Sequence, residues 1–210
     1  MGGGSQETYQ MKIGLILECQ KDGPDQKVFE PLVRKIAPPK SSVVSRTLGN
    51  KPNVLEKCGA VAAELLADKC DRVIVIWDLW PSWEQDAPPC RKTDREAAIA
   101  SLTAAEVDPA RVRLLCVEQM LESWILADER ALKAQLEAWS HPHKLKKFTV
   151  SKGAVLDTKP KKLLRRLFRE CGCWPYEEAD HAHLIAARWP DLSRVKRLET
   201  FQRFVRAIVT

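Results

Sequence analysis

Residues 72–78, with the sequence Arg-Val-Ile-Val-Ile-Trp-Asp, decide the fold of this 210-residue chain. Val73 to Trp77 is a continuous apolar run that is rich in β-branched residues and too short to cross a membrane. Such a run is typical of a strand buried on both faces, as in a parallel sheet. The run ends in Asp78, at the edge where open α/β sheets bind their ligands. Asp78 is therefore predicted either to take part in a site or to cap the following turn.

Strands and helices alternate along the chain on both sides of this stretch. Further apolar strands are predicted at 12–18, 42–46 and 111–117. Helices are predicted after Asp25 and Asn53, with these residues as N-caps, and over 91–105 and 121–139. This order requires right-handed crossovers. It predicts a Rossmann-like α/β fold, with a mostly parallel sheet and helices on both of its faces.

The pattern changes after Trp139. Ser-His-Pro-His at 140–143 ends the helix, and a basic loop then runs to Pro160. Three more helices are predicted over 161–170, 177–188 and 192–208. We therefore expect a flexible leader at 1–11, an α/β domain at 12–139, and a basic loop with a helical C-terminal extension packed on that domain at 140–210.

The amino-acid composition limits the cellular compartment and the binding partners that can be expected. The seven cysteines are scattered and odd in number, which favours reduced thiols and a cytoplasmic protein over a disulfide framework. No signal peptide or membrane-spanning run is visible, so no membrane partner is expected. The net charge of +6 permits binding to a polyanion without requiring it.

The basic residues are unevenly distributed, and many fall between 144 and 169. A solvated basic face is one interpretation of this excess, and contact with nucleic-acid phosphates is the other. The residues that we assign to nucleic-acid binding are Lys159, Lys161, Lys162, Arg165 and Arg166.

Three predicted strands end in acids, namely Glu18, Asp78 and Glu118. Parallel neighbours would bring these acids to one edge of the sheet, and Glu122 lies one helical turn beyond Glu118. Clustered carboxylates repel one another, and a hard divalent cation such as Mg²⁺ relieves that repulsion with oxygen ligands. The four acids are therefore a predicted metal site. The alternative is that each acid caps a helix or pairs with a local arginine.

Three of these segments resemble a known family when they are taken together. Leu-Ile-Leu-Glu at 15–18, Gly-Pro-Asp at 23–25 and Val-Ile-Trp-Asp at 75–78 resemble the Toprim (topoisomerase–primase) domain. Val117 to Asp128 is similar to the Glu-x-x-x-Glu-x-Trp-x-Leu-Ala-Asp segment of a bacterial Toprim-like branch, and it is the most specific motif. The resemblance covers residues 12–208.

The chain departs from the Toprim pattern at two points. Toprim sites have Asp-x-Asp after the central strand, whereas Trp80 stands in the second acidic position here. Glu84 or Asp86 would then have to replace that acid, or the second ligand is missing. The usual Glu-Gly is Glu18-Cys19, and the glycine is displaced to Gly23.

The resemblance implies a nuclease or related phosphoryl-transfer enzyme that depends on Mg²⁺ or Mn²⁺. Glu18 would act as the general acid or base and Asp78 would hold the metal, with Glu118 and Glu122 in support. Arg91 and Lys92 would stabilise phosphate charge, or would simply be solvated residues in the first turn of a helix.

The same resemblance suggests an effector of bacterial anti-phage defence. The alternative function is a non-catalytic, Toprim-like binding or regulatory subunit that acts with an ATPase or another protein partner. The missing second Asp favours this alternative, and the retained acids favour the enzyme. A homodimer is compatible with both.

Two further patterns lead to other predictions. The set of Cys171, Cys173, His181 and His183 offers four zinc ligands, although the spacing is not that of a standard finger. Tryptophans 77, 80, 83 and 124 either stack on bases or pack in the core. The chain has no Walker lysine loop and no Gly-x-Gly-x-x-Gly, so a tightly bound nucleotide is not indicated.

Overall fold

Four parallel strands form one sheet in the computed structural model, which describes residues 10–82, 88–118, 120–139 and 159–210. The strands are β1 (Lys12–Leu17), β2 (Ser42–Thr47), β3 (Arg72–Asp78) and β4 (Val112–Val117), and they lie in the order β2-β1-β3-β4. All three pairings are parallel, and their registers align the carboxyl ends of the strands. The predicted parallel α/β fold is confirmed.

Helices flank the sheet and form the C-terminal part of the chain. None of the helices in the described segments has the length and apolar composition that a membrane span needs. The helices are α1 (Pro24–Ile36), α2 (Lys51–Ala67), α3 (Arg91–Ala104), α4 (Leu121–Ala127), α5 (Glu129–Trp139), α6 (Pro160–Glu170), α7 (Glu178–Ala187) and α8 (Glu199–Val209). Short 3₁₀ turns precede β4 at Pro109–Arg111 and α8 at Val195–Arg197.

The strand side chains divide between two hydrophobic cores. In β3, Ile74 and Ile76 point to one face, whereas Val73, Val75 and Trp77 point to the other. Helices α2 and α3 cover the second face. Helix α1 and the five helices from α4 to α8 cover the first face and share its core. Burial on both faces accounts for the unbroken apolar run of β3.

Trp124 of α4 is the centre of the larger core. Its ring centroid lies 5.6 Å from that of Phe29, 4.8 Å from Phe201 and 5.4 Å from Phe204. Its indole N–H donates to the Thr200 hydroxyl at 2.9 Å. Trp124 therefore links α1, α4 and α8 through edge-on and tilted ring contacts, and it acts in packing, as one of the two interpretations of the tryptophans predicts.

A glycine allows α2 and α3 to approach closely on the second face. A Cβ atom at Gly59 would lie 2.0 Å from the backbone oxygen of Ser101, so no larger residue fits. The backbone N–H of Gly59 donates to the Ser101 hydroxyl at 3.0 Å, and that hydroxyl donates to the Glu56 carbonyl at 2.7 Å.

A buried ion pair fixes the segment that follows β3. The Lys51 ammonium lies 3.3 Å from the Asp94 carboxylate, and their side chains are only 2% and 1% exposed. The same ammonium donates to the carbonyls of Leu79 at 2.7 Å and Pro81 at 2.6 Å. The Trp77 indole donates to Asp94 at 3.0 Å, so both charges have additional polar partners.

Two of the predicted N-caps are wrong. Helix α1 begins at Pro24 after an extended Gly23, and Asp25 makes no cap hydrogen bond because it already lies inside the helix. Helix α2 is capped by Asn50, whose side chain accepts the N–H of Asn53 at 2.9 Å. Pro52 lies in the first turn after Asn50, and because proline is favoured in the first turn of a helix it was an available signal for a cap at Asn50.

Two of the predicted helices are interrupted. The helix predicted over 121–139 breaks at Asp128, whose carboxylate accepts the backbone N–H of Arg130 at 3.1 Å and so starts α5. The helix predicted over 192–208 is replaced by a 3₁₀ turn, an extended Leu198 and α8. Apolar side chains on both sides of each break pack into the same core, so periodicity did not reveal the breaks.

We predict that Asp94→Asn lowers the free energy of unfolding by about 3–5 kcal/mol, because it leaves the Lys51 ammonium buried without its counter-charge. Asparagine keeps a hydrogen-bond acceptor for the Trp77 indole, so the loss of stability measures the effect of removing the Asp94 charge. Urea unfolding followed by circular dichroism measures it. Glu96→Gln, on the same helix but in an exposed pair with Lys92, is the control and should change stability by less than about 1 kcal/mol. Equal effects of the two substitutions would contradict the prediction.

Candidate functional site

Glu18 and Asp78 lie side by side at the carboxyl edge of the sheet. Strands β1 and β3 are parallel neighbours with Leu17 opposite Ile76, so the residues that follow them are adjacent. One Glu18 carboxylate oxygen accepts the backbone N–H of Asp78 at 3.1 Å. The structure thus brings together the two acids to which the sequence assigned the chemistry.

Three more carboxylates join them from helices. Asp25 comes from the first turn of α1, Glu122 from α4 and Glu178 from the start of α7. The Glu122 side chain is fully buried. One of its oxygens accepts from the Tyr176 hydroxyl at 3.3 Å, and the other has no hydrogen-bond partner among the described residues. We call these five residues, Glu18, Asp25, Asp78, Glu122 and Glu178, the acid cluster.

Four of the five acids, Glu18, Asp25, Asp78 and Glu122, resist ionisation because they are partly or fully removed from water and lie close to other carboxylates. Burial, followed by the charges of Glu178 and Glu18, raises the pKa of Asp25 to about 7. Burial and then Glu178 raise the pKa of Glu122 to about 8. Burial, reinforced by Asp25 and Glu18, raises the pKa of Asp78 well above its ordinary value, and burial also raises that of Glu18.

Lys161, from the first turn of α6, supplies positive charge to the cluster. Its ammonium lies 2.5 Å from a Glu178 oxygen and 3.7 Å from a Glu122 oxygen. Burial opposes this charge, but Glu122 and Glu178 outweigh it and raise the pKa of Lys161 above its ordinary value. Lys51 adds a weaker attraction that lowers the pKa of Glu18.

The donor set of the acid cluster suits a hard divalent cation. Carboxylate oxygens are the ligands that Mg²⁺ and Mn²⁺ prefer, and one oxygen of Glu122 accepts no hydrogen bond from the described residues. The oxygens do not converge on one point, however. Within the described segments, no group of three or more His, Cys, Asp or Glu side chains has the geometry to hold a metal. The Lys161 ammonium lies between two of the carboxylates instead.

The other predicted site residues at this edge form ion pairs. Glu118 accepts from the guanidinium groups of Arg91 at 2.8 Å and Arg203 at 2.7 Å. It therefore matches the alternative in which a strand-end acid pairs with an arginine. The Lys92 side chain is 84% exposed and lies 3.8 Å from Glu96, as expected for a solvated residue in the first turn of a helix.

Helix α6 separates its basic residues between two environments. Lys161 points into the acid cluster. The remaining residues predicted to bind nucleic acid, Lys159, Lys162, Arg165 and Arg166, line an open cavity of about 470 Å³ together with Leu163 and Arg169. Arg165 pairs with Glu177 at 3.5 Å and Arg166 with Glu170 at 3.6 Å, and all four of these side chains are more than half exposed.

The predicted zinc ligands do not form a metal site. All four are described, and they do not form a group able to hold a metal. The His181 ring instead packs against Trp139, at a centroid distance of 4.9 Å, and against Phe168 at 5.1 Å. The acids proposed to replace the second Toprim aspartate, Glu84 and Asp86, lie outside the described residues, as does Trp83.

Sequence reasoning missed several members of the cluster. Asp25 was interpreted as a cap, although it follows β1 closely and its position after a strand was an available signal. Lys161 was grouped with the surface bases. Tyr176 and Glu178 come from the C-terminal part of the chain, and nothing in their local sequence marks them as site residues.

No family model, curated protein or solved structure matches this chain. The likeness to Toprim domains therefore rests on the quoted residues alone. A function has to be argued from the acid cluster, from its counter-charge and from the surface around it.

We predict that the acid cluster makes stability depend on pH when divalent ions are chelated. Because the pKa values of Asp25 and Glu122 are raised in the folded state, the folded protein binds more protons than the unfolded chain between about pH 4 and pH 8. This contribution to the free energy of unfolding therefore falls as the pH rises. Glu122→Gln removes one charge and should gain melting temperature relative to the parent between pH 6 and pH 9.

Thermal unfolding in chelator at several pH values measures this difference. Glu64→Gln, an exposed change on α2, is the control and should follow the parent at every pH. A constant difference between Glu122→Gln and the parent across the range would contradict the prediction.

Proposed function

We propose that the chain is a divalent-metal-dependent nuclease or related phosphoryl-transfer enzyme with the acid cluster as its active site. One observation carries the proposal. The fully buried Glu122 carboxylate keeps one oxygen without a hydrogen-bond partner among the described residues, and it lies with Glu18, Asp25 and Glu178 close enough to raise the pKa of Asp78 at the carboxyl edge of a parallel sheet. That edge is where open α/β folds bind their ligands.

Structural stability does not account for such a cluster. Removing a carboxylate from water is unfavourable by several kcal/mol unless close partners replace the water. Lys161 reaches only two of the five acids within 4 Å, at Glu122 and Glu178. Glu122 is fully buried, Glu18, Asp25 and Asp78 are half-buried, and neighbouring carboxylates that raise one another's pKa values in this way are a mark of functional sites.

The residues divide into two roles in the proposed reaction. Asp25, Asp78, Glu122 and Glu178 do not form a metal site as they stand. If their oxygens converged, they would hold the divalent ion, which would neutralise phosphate charge and orient the attacking water. Glu18 would accept a proton from that water as the water oxygen bonds to phosphorus, while the bond to the sugar oxygen breaks and the sugar oxygen leaves as a hydroxyl after taking a proton from solvent. The backbone N–H of Asp78 orients the Glu18 carboxylate for this step, at 3.1 Å. The pKa of Glu18 is raised in the direction of neutral pH, which suits a group that accepts and releases a proton.

The second candidate function is a non-catalytic binding or regulatory subunit that acts with an ATPase or other protein partner. The position of Lys161 favours it, because an ammonium between Glu122 and Glu178 can replace a metal ion permanently. Trp80 in the second acidic position of the Toprim pattern points the same way. We also propose a function in anti-phage defence for either role. This part of the proposal comes from the Toprim resemblance.

We predict cleavage of DNA or RNA with Mg²⁺ or Mn²⁺ that requires both Glu18 and Asp78. Glu18→Gln should lower the rate by about 10²- to 10⁴-fold, because it removes the proton acceptor. Asp78→Asn should reduce cleavage to background, because it removes a charge that holds the ion. The two losses should not add, since both residues serve one step. Cleavage of labelled oligonucleotides across a panel of metals measures these rates, with Glu64→Gln as the active control.

Thermal shift measurements separate the two candidate functions. For the enzyme, Mg²⁺ at about 100 times its Kd should stabilise the parent by about 2–3 kcal/mol and should stabilise Asp78→Asn much less. Lys161→Met should then be less stable than the parent in chelator and should gain more from the ion. For the binding subunit, Lys161→Met should lose stability that no divalent ion restores. Absence of cleavage and of metal stabilisation in the parent would overturn the enzyme proposal.

A further inference from the structure

The turn that follows α6 carries an aromatic pocket. The pocket has a volume of about 500 Å³ and is lined by Trp139, Phe168, Cys173, Trp174, Pro175 and His181. The Trp174 side chain is 86% exposed, whereas Trp77 and Trp124 are buried. Exposing so large an apolar surface is unfavourable, and aromatic rings grouped at a surface mark sites of recognition.

The aromatic rings near Trp174 are held in place by packing against one another. Phe168 is fully buried, and its ring lies 5.7 Å from that of Trp139 and 5.3 Å from that of Tyr176. Gly172 adopts a φ of +70°, which only glycine adopts readily, and this turn brings Trp174 out of the core. The pocket thus has a rigid aromatic wall and one exposed, flat ring.

A basic groove lies on the same helix. Lys162, Arg165, Arg166 and Arg169 are spaced three or four residues apart and so share one face of α6. The last lies seven positions after the first, which is about 10 Å along the helix. The ion pairs of Arg165 and Arg166 with Glu177 and Glu170 are exposed and contribute little, so phosphates can replace those carboxylates.

We infer that the C-terminal half of α6 and its following turn bind single-stranded nucleic acid. The basic groove holds the phosphates and the exposed Trp174 ring stacks on a base. A positively charged groove beside an aromatic platform is the combination that single-strand binding requires. A paired duplex fits less well, because its bases are stacked on one another and cannot reach a ring.

The arrangement also places the bound nucleic acid on a path toward the acid cluster. This part of the inference rests on the proposed function. The first turn of α6 carries Lys161 into the cluster, whereas its last turn carries Phe168, which lines the aromatic pocket, and Arg169, which lines the basic groove five positions before Trp174. One helix therefore connects the two places, and single-stranded DNA or RNA becomes the substrate class of the proposed enzyme.

Fluorescence anisotropy with a labelled oligothymidine in chelator tests the inference without any cleavage. The parent should bind the single strand at least about tenfold more tightly than a duplex of equal length. Trp174→Ala should weaken single-strand binding by about tenfold or more, whereas Trp174→Phe should retain most of it. Arg166→Glu with Arg169→Glu should weaken binding and lower its dependence on salt.

A matched charge reversal on the other face of the sheet is the control. Lys57→Glu, at an exposed position on α2, should leave binding unchanged. Equal affinity for single strand and duplex, an unchanged affinity in Trp174→Ala, or no binding to any nucleic acid would overturn the inference. A protein partner bound through Trp174 in place of nucleic acid would also overturn it. Binding without cleavage would refute only the enzyme.

Discussion

The candidate site depends on the buried ammonium of Lys51. It holds the segment after β3 by two carbonyls, at 2.7 Å and 2.6 Å, and it reaches Asp94 on α3 at 3.3 Å. That segment begins directly after Asp78. The position of the Asp78 carboxylate therefore depends on the contacts that Lys51 makes with the segment and with Asp94. The same charge also attracts Glu18. One lysine therefore supports both the geometry and the electrostatics of the two strand-end acids.

The acid cluster draws on both halves of the chain. Glu18, Asp25 and Asp78 come from the first 78 residues, whereas Glu178, Lys161 and Tyr176 come from the last 51. Glu122 connects the two groups, because it contacts Lys161 and Tyr176 and its charge also raises the pKa of Asp78. Packing of the C-terminal helices onto the first face of the sheet therefore brings the counter-charge with it. Repulsion among the acids is tolerated because the apolar contacts of Trp124 and its neighbours hold the layers together.

The part of the site that the sequence predicted is the part set by sheet topology. Apolar strands ending in Glu18 and Asp78, with helices between them, require the two acids to meet at one edge. Glu118 obeys the same rule but is neutralised by Arg91 and Arg203, and Arg203 lies 85 residues away in the chain. Asp25 was mistaken for a cap because aspartate suits both roles. Tyr176 and Glu178 depend on how α6 and α7 pack, and no local pattern encodes that packing.

Helix α6 has a consequence for how the chain can be divided. It begins with Lys161, which pairs with Glu122 and Glu178 of the acid cluster, and it ends a few residues before the exposed ring of Trp174. Removing the C-terminal helices would leave the parallel sheet with uncompensated acids and with Phe29 and Trp124 uncovered. The sheet therefore cannot be transferred to another protein by itself. In any rearrangement of the gene, the strands and the terminal helices have to be inherited together.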